Sequence, residues 1–190
     1  MILNIKNMKK YILSLIIAFT TSVGMRAQMC AINTDLVWDA ACIPSLGFEV
    51  GTGNATSFVF NAFGGYKPYG LDGKCAGVQP EFRYWLSGRA MHQQFIGIGA
   101  LATSYKYPSG DKINDGYALG AGVTFGYAFK LSQRFVLNLH ASCGVLFYEQ
   151  KEYFKGDDYD NPTFGVIKTN ASGYNMLPTN LGVTISYIIH

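Results

Sequence analysis

Residues 78–86 read VQPEFRYWL and alternate strictly. In an extended chain Val78, Pro80, Phe82, Tyr84 and Leu86 fall on one face and Gln79, Glu81, Arg83 and Trp85 on the other, because successive side chains of a strand point to opposite sides. A helix would bring together positions three and four apart and so mix the two sets. One face is therefore apolar or aromatic, and the other carries a carboxylate, an arginine and an amide.

The same period recurs downstream. Between Gly116 and Lys130, Tyr117, Leu119, Ala121, Val123, Phe125, Tyr127 and Phe129 oppose Ala118, Gly120, Gly122, Thr124, Gly126 and Ala128. Between 135 and 150, Leu137, Leu139, Ala141, Cys143, Val145 and Phe147 oppose Asn138, His140, Ser142 and Gly144. The closing stretch sets Leu181, Val183, Ile185, Tyr187 and Ile189 against Asn180, Gly182, Thr184 and Ser186. Eight such runs are expected, near 31–39, 45–52, 57–67, 78–87, 94–106, 116–130, 135–150 and 176–189, with no helical period of any length past Gln28.

Composition says which medium these faces meet. The chain has 190 residues, 49% of them hydrophobic and only 14% charged, against about 25% charged in an average soluble domain. A soluble sandwich or lipocalin-like barrel would put its apolar faces in a core and line its solvent faces with Lys and Glu. Here the non-apolar faces carry Gly, Ala, Ser, Thr and Asn, which suit a narrow lumen.

The net charge of +3 comes from the first 27 residues. Lys6, Lys9, Lys10 and Arg26 precede and follow an apolar run from Tyr11 to Ala18, with no acid among them. This is the pattern of a secretory signal peptide, expected over 1–27, and the run is too short to span a bilayer as a helix. Without those four, the 15 basic residues fall to 11 against 12 acids, a net of −1 over 28–190. Nucleic acid is thereby excluded as an expected partner.

The expected connections alternate. After a tight first turn at 39–44, those near 53–56, 87–93 and 131–134 are short, whereas those near 68–77, 107–115 and 151–175 are longer and polar. Short turns at one end, long loops at the other and strands of ten or more residues indicate an all-β, eight-stranded antiparallel up-and-down transmembrane barrel over 28–190. Trp38, Tyr66, Tyr105, Tyr107, Tyr117, Tyr127, Phe129, Tyr148 and Tyr187 near strand ends suit interfacial girdles.

The stretches NTDLVWDAACIPSLGFEVGTG (33–53), VQPEFRYWL (78–86), GAGVTFGYAFKLSQRF (120–135) and LPTNLGVTISYII at the close resemble, in the same order, a family of uncharacterised outer-membrane barrel proteins from Bacteroidetes known as a domain of unknown function. The resemblance implies a small barrel of the OmpA/OmpX-like type in the outer membrane. It assigns no activity and no catalytic residues. Its expected partners are outer-membrane lipid and the barrel-assembly machinery; such barrels often end in an aromatic residue read by that machinery, and this sequence departs from the pattern with Tyr187, Ile188, Ile189 and His190.

Parity turns Asn33, Asp35, Glu49, Gln79, Glu81, Arg83, His140 and Ser142 into the lumen. Enclosed charges must pair, so Arg83 is expected to bridge to at least one of Glu81, Glu49 and Asp35. The excess of carboxylates would draw in a protonated His140 or an inward Lys106 or Lys130. A lumen filled by side chains is the expectation for eight strands.

Three further features carry chemistry. His140 and Ser142, two apart on one strand face with Glu149 beyond, match the types used by lipid-modifying hydrolases at the outer membrane, the alternative catalytic reading. Cys42 and Cys75 fall in connections at one end and are expected to be able to pair, while Cys143 faces outward. The four cysteines show no paired CxxC spacing, so neither a metal nor another cofactor is expected. The aromatic loop Lys151–Asn175, with GDDYDN at 156–161, is the place for an extracellular ligand. On the residues alone, a soluble periplasmic lipocalin-like binder is the third reading.

Overall fold

A computed structural model of the chain describes residues 29–70, 72–154 and 171–189. The expected signal peptide at 1–27 and the GDDYDN motif lie outside the described residues. Eight strands follow in order: β1 (Cys30–Asp35), β2 (Ser45–Gly51), β3 (Thr56–Tyr66), β4 (Lys74–Trp85), β5 (Gln93–Ser109), β6 (Lys112–Lys130), β7 (Phe135–Phe154) and β8 (Ala171–Ile188). Each pairs antiparallel with the next, and β1 pairs antiparallel with β8, closing the barrel.

Four connections differ from the sequence expectation. The first strand stops at Asp35 because its carboxylate caps a one-turn helix, α1 (Leu36–Ala40), accepting from the Val37 and Trp38 amides at 2.9 and 3.4 Å. An N-cap aspartate satisfies amides that lack intrahelical partners. Asp39 then accepts from the Thr34 hydroxyl at 2.5 Å and the Ser45 amide at 2.9 Å, so the expected tight turn is a braced helical connection over 36–44.

The expected loops at 68–77 and 107–115 are largely strand. Strand β4 begins at Lys74, after a short 3-10 turn at Pro68–Gly70. Strands β5 and β6 continue until Ser109 pairs with Lys112 across Gly110 and Asp111, with Gly110 at φ 65°. Gly-Asp between two runs is a two-residue hairpin signal, hidden here by the polarity of the flanking strand ends. Likewise β7 runs to Phe154 and β8 starts at Ala171, which narrows the connection expected over 151–175.

The wall is consequently uneven. Strands β1–β4 have 6, 7, 11 and 12 residues and β5–β8 have 17, 19, 20 and 18. The asymmetry expected in loop length resides mostly in strand length. A bulge lets Ser142 pair with Asn180 while Cys143 pairs with Pro178. One extra residue shifts parity, so Tyr174 and Met176 face outward before it and Leu181 and Tyr187 after it.

Faces are inverted relative to a soluble domain. Outward in one row across β3–β6 lie Phe58, Phe82, Ile98 and Val123, in register and exposed, with Cys143 next on β7. Inward, an apolar cluster of Ala31, Trp85, Ala90, Met91, Phe95, Ala128 and Val136 closes the end that carries the 52–55, 86–92 and 131–134 connections. A second cluster of Ala41, Ile43 and Phe63, with Trp38, Cys75 and Leu101 against it, closes the opposite end. Between them the interior is polar.

Candidate functional site: the polar lumen

Arg83 organises the interior. It projects inward from β4 beneath Ser57 of β3, its register partner, and reaches Glu49 of β2 beyond. Its Nη1 lies 3.4 Å from Glu49 Oε2 and its Nη2 lies 3.0 Å from Glu81 Oε2. The guanidinium carbon sits 4.4 Å from the centroid of Phe95, a cation–π contact. The Ser57 hydroxyl donates to Glu49 Oε1 at 2.6 Å, and Trp85 Nε1 donates to the same hydroxyl at 2.8 Å. All five of these lumen side chains are buried: Glu49, Ser57, Glu81, Arg83 and Trp85.

A second group centres on Asn180. Its Nδ2 donates to Gln79 Oε1 at 3.2 Å and lies 3.1 Å from His140 Nε2. Asp35 Oδ2 lies 3.7 Å from the same His140 nitrogen and accepts from Thr184 at 3.4 Å. Of the three carboxylates facing Arg83 in the sequence reading, Glu49 and Glu81 reach it and Asp35 sits beside His140.

Glycines make room for these polar ends. A Cβ at Gly97 would collide with Glu81 Oε1, one at Gly182 with Asp35 Oδ2 and the His140 ring, and one at Gly47 with the amides of Asn61 and Asn33. They admit side chains that a narrow barrel would otherwise exclude. Two voids, one beside Gln79, Thr124 and Ser142 and one beside Asn33, Asp35 and Trp38, are each about 10 Å³, roughly one water.

His140, Ser142 and Glu149 each bond to other partners rather than to one another. The Ser142 hydroxyl bonds to Thr124 at 2.7 Å and His140 Nε2 faces Asn180 and Asp35. Glu149 is exposed, on the outward parity of β7, where it accepts from the Tyr117 hydroxyl. A nucleophile and its base must be within hydrogen-bond reach of one another.

The pairing expected of Cys42 and Cys75 is not made. Both are free thiols: Cys42 is exposed at φ 61°, and Cys75 packs against the Ala41, Ile43 and Phe63 cluster. Neither lysine considered for the lumen enters it, since Lys130 is exposed and Lys106 pairs outside with Asp115 at 3.1 Å. Among the described residues no group of three or more His, Cys, Asp or Glu could hold a metal.

Four residues expected in aromatic girdles lie elsewhere. Trp38 stacks on inward-facing Phe63, centroids 4.7 Å apart and planes 15° apart, so α1 folds its indole over the lumen. Tyr105 donates to Gln150 at 3.0 Å, and Tyr105, Tyr107 and Tyr148 have the inward parity of their strands. Tyr66, Tyr117, Tyr127, Phe129 and Tyr187 have the outward parity of a girdle. Outside the strands, a hydrogen bond from Lys67 to Asp72 at 2.8 Å, followed by the charge of that carboxylate, raises the lysine above its ordinary pKa.

Comparison with known proteins adds one relationship. The family model described as "Protein of unknown function (DUF3575)" matches residues 12–189. No curated protein and no solved structure is significantly similar to the chain.

Proposed function

We propose that this chain, which belongs to the DUF3575 family, is an integral outer-membrane barrel of the small OmpA/OmpX-like type, exported by its N-terminal signal and without catalytic activity. It serves a structural or partner-binding role through the end that carries the longer connections. The observation that carries this reading is the inverted distribution of side chains. Arg83, Glu49, Glu81, Gln79, Asn138 and Asn180 are inside, whereas Phe82, Ile98, Leu119, Phe125 and Leu181 are exposed outside. A soluble barrel would present a contiguous apolar patch far above the few hundred Å² that monomers tolerate. In a bilayer the same face is solvated by lipid, and a closed barrel leaves no unpaired strand edge in hydrocarbon.

The dimensions agree with this reading. On β6 the outward apolar positions run from Leu119 to Phe129, ten steps, or about 33 Å of strand, and about 25 Å along the axis of a barrel tilted by roughly 40°. The lumen is closed by the Arg83 network and the two apolar clusters, so the barrel is a plug rather than a pore. The wall formed by β5–β8 rises beyond this band, and a rigid scaffold of this kind suits ligand binding at its connections.

A gel of the outer-membrane fraction with and without boiling tests the reading. Co-fractionation and a mobility shift on boiling are expected. A soluble protein with one mobility would overturn it.

A further inference from the structure

Above the apolar band, at the end that carries α1, the outer face changes character. Tyr66 pairs in register with Lys74, Lys74 with Lys106, Lys106 with Asp115, and Asp115 with Lys151, one row across β3–β7. Lys74 and Lys106 are therefore directly opposite on adjacent strands, where like charges are destabilising. Asp115 relieves one of them, 3.1 Å from Lys106 Nζ. Lys74 has no carboxylate partner among the described residues, and its ammonium lies 5.5 Å from the centroid of Tyr66. Lys67 approaches the same ring at 6.0 Å while paired with Asp72.

Tyr66, Lys74 and Lys106, with Asp72, Pro108 and Ile113, line a cleft of about 260 Å³. Lys67 is paired with Asp72 and Lys106 with Asp115, so among the described residues the uncompensated charge in this row is the Lys74 ammonium. Toward the middle of the barrel the same face continues as Val78, Ala102 and Leu119, in register with one another. Opposed cations above an apolar wall match an anionic head joined to hydrocarbon.

We propose that this cleft binds the phosphorylated headgroup of an outer-leaflet lipid, with phosphate oxygens between the Lys74 and Lys106 ammonium groups and acyl chain along Val78, Ala102 and Leu119. The shared anion removes the repulsion between the two lysines, and the compact ammonium is a point charge that a phosphate of any orientation can meet. The proposal rests on the bilayer reading above and adds to it the class of lipid that the barrel holds.

The test reconstitutes the parent chain and the Lys74→Gln/Lys106→Gln double variant in phosphatidylcholine nanodiscs containing diphosphorylated lipid A or its dephosphorylated form. Native mass spectrometry then reads the lipid A retained by each. The parent is expected to retain the phosphorylated lipid, the double variant to retain it about tenfold less, Lys74→Arg to keep it, and none to retain the dephosphorylated form. Equal retention by parent and double variant, equal retention of the two lipids, or displacement by an equal concentration of inorganic phosphate would overturn the site. A parent chain that inserts and shifts on boiling but retains no lipid A overturns this proposal alone; a parent that does not insert overturns it together with the bilayer reading.

Discussion

Arg83 of β4 and Glu49 of β2 meet inside the barrel across the intervening strand β3, 3.4 Å apart, with 2% and 0% of their side chains exposed. Glu81 takes the other terminal nitrogen of the guanidinium at 3.0 Å. Neither carboxylate has a second cation within ion-pairing distance among the described residues. Removal of the arginine alone strands two buried charges.

Arg83→Met should therefore destabilise the barrel by about 3–5 kcal/mol, the usual cost of breaking a buried pair from one side. Adding Glu49→Gln and Glu81→Gln should recover most of that loss, because the stranded charges go with their partner. Urea unfolding of protein reconstituted in lipid measures both, and a single variant as stable as the parent would contradict the network.

Two glycines give a paired prediction, Gly182 inside the lumen and Gly64 on the outward parity of β3. Gly182→Val would drive its side chain into Asp35 and His140 and should cost about 1–3 kcal/mol as overpacking. At Gly64 the nearest atom to an added Cβ is 3.7 Å away, so Gly64→Ala should be within about 0.5 kcal/mol of neutral. The thermal midpoint of the boiling-induced mobility shift separates the two.

Helix α1 is held by the Asp35 cap and by the stack of Trp38 on Phe63. Trp38→Ala should remove an aromatic contact worth about 0.5–1.5 kcal/mol beyond its buried area and free the 36–44 connection. Limited proteolysis of reconstituted protein should then cut within 36–44 well before any strand, while the parent chain resists there.

A closed lumen predicts an absence of current. Purified protein in planar bilayers, free of larger porins, should give no stable unit conductance. Discrete, repeatable openings would contradict a lumen filled by Arg83, Glu49, Glu81 and the two apolar clusters.

Most of this architecture is legible from parity alone. Alternation in VQPEFRYWL puts Gln79, Glu81, Arg83 and Trp85 inside with no knowledge of their neighbours, and a closed barrel gives every strand an inside and an outside. The choice among partners was not legible: that Arg83 takes Glu49 and Glu81 while Asp35 sits by His140 depends on the register of β2, β3 and β4 and on the tilt of the wall. The helix at Leu36–Ala40 was hidden because Leu36 and Trp38 keep the parity of Ile32 and so extend the strand reading, although Asp35 two and three residues before the amides it caps was a readable signal. Gly110-Asp111 was a hairpin signal outweighed by polar neighbours. Trp38 reads as an interfacial aromatic until α1 turns it onto Phe63.

The central claim, that the outward face meets lipid, is tested most directly at Ile98, which is 69% exposed in the middle of the apolar row. Tryptophan introduced by Ile98→Trp, with the signal of Trp38 and Trp85 subtracted by comparison with the parent chain, should be quenched by brominated lipid and shielded from aqueous iodide. Quenching by iodide with no response to brominated lipid would place that face in water and contradict the account.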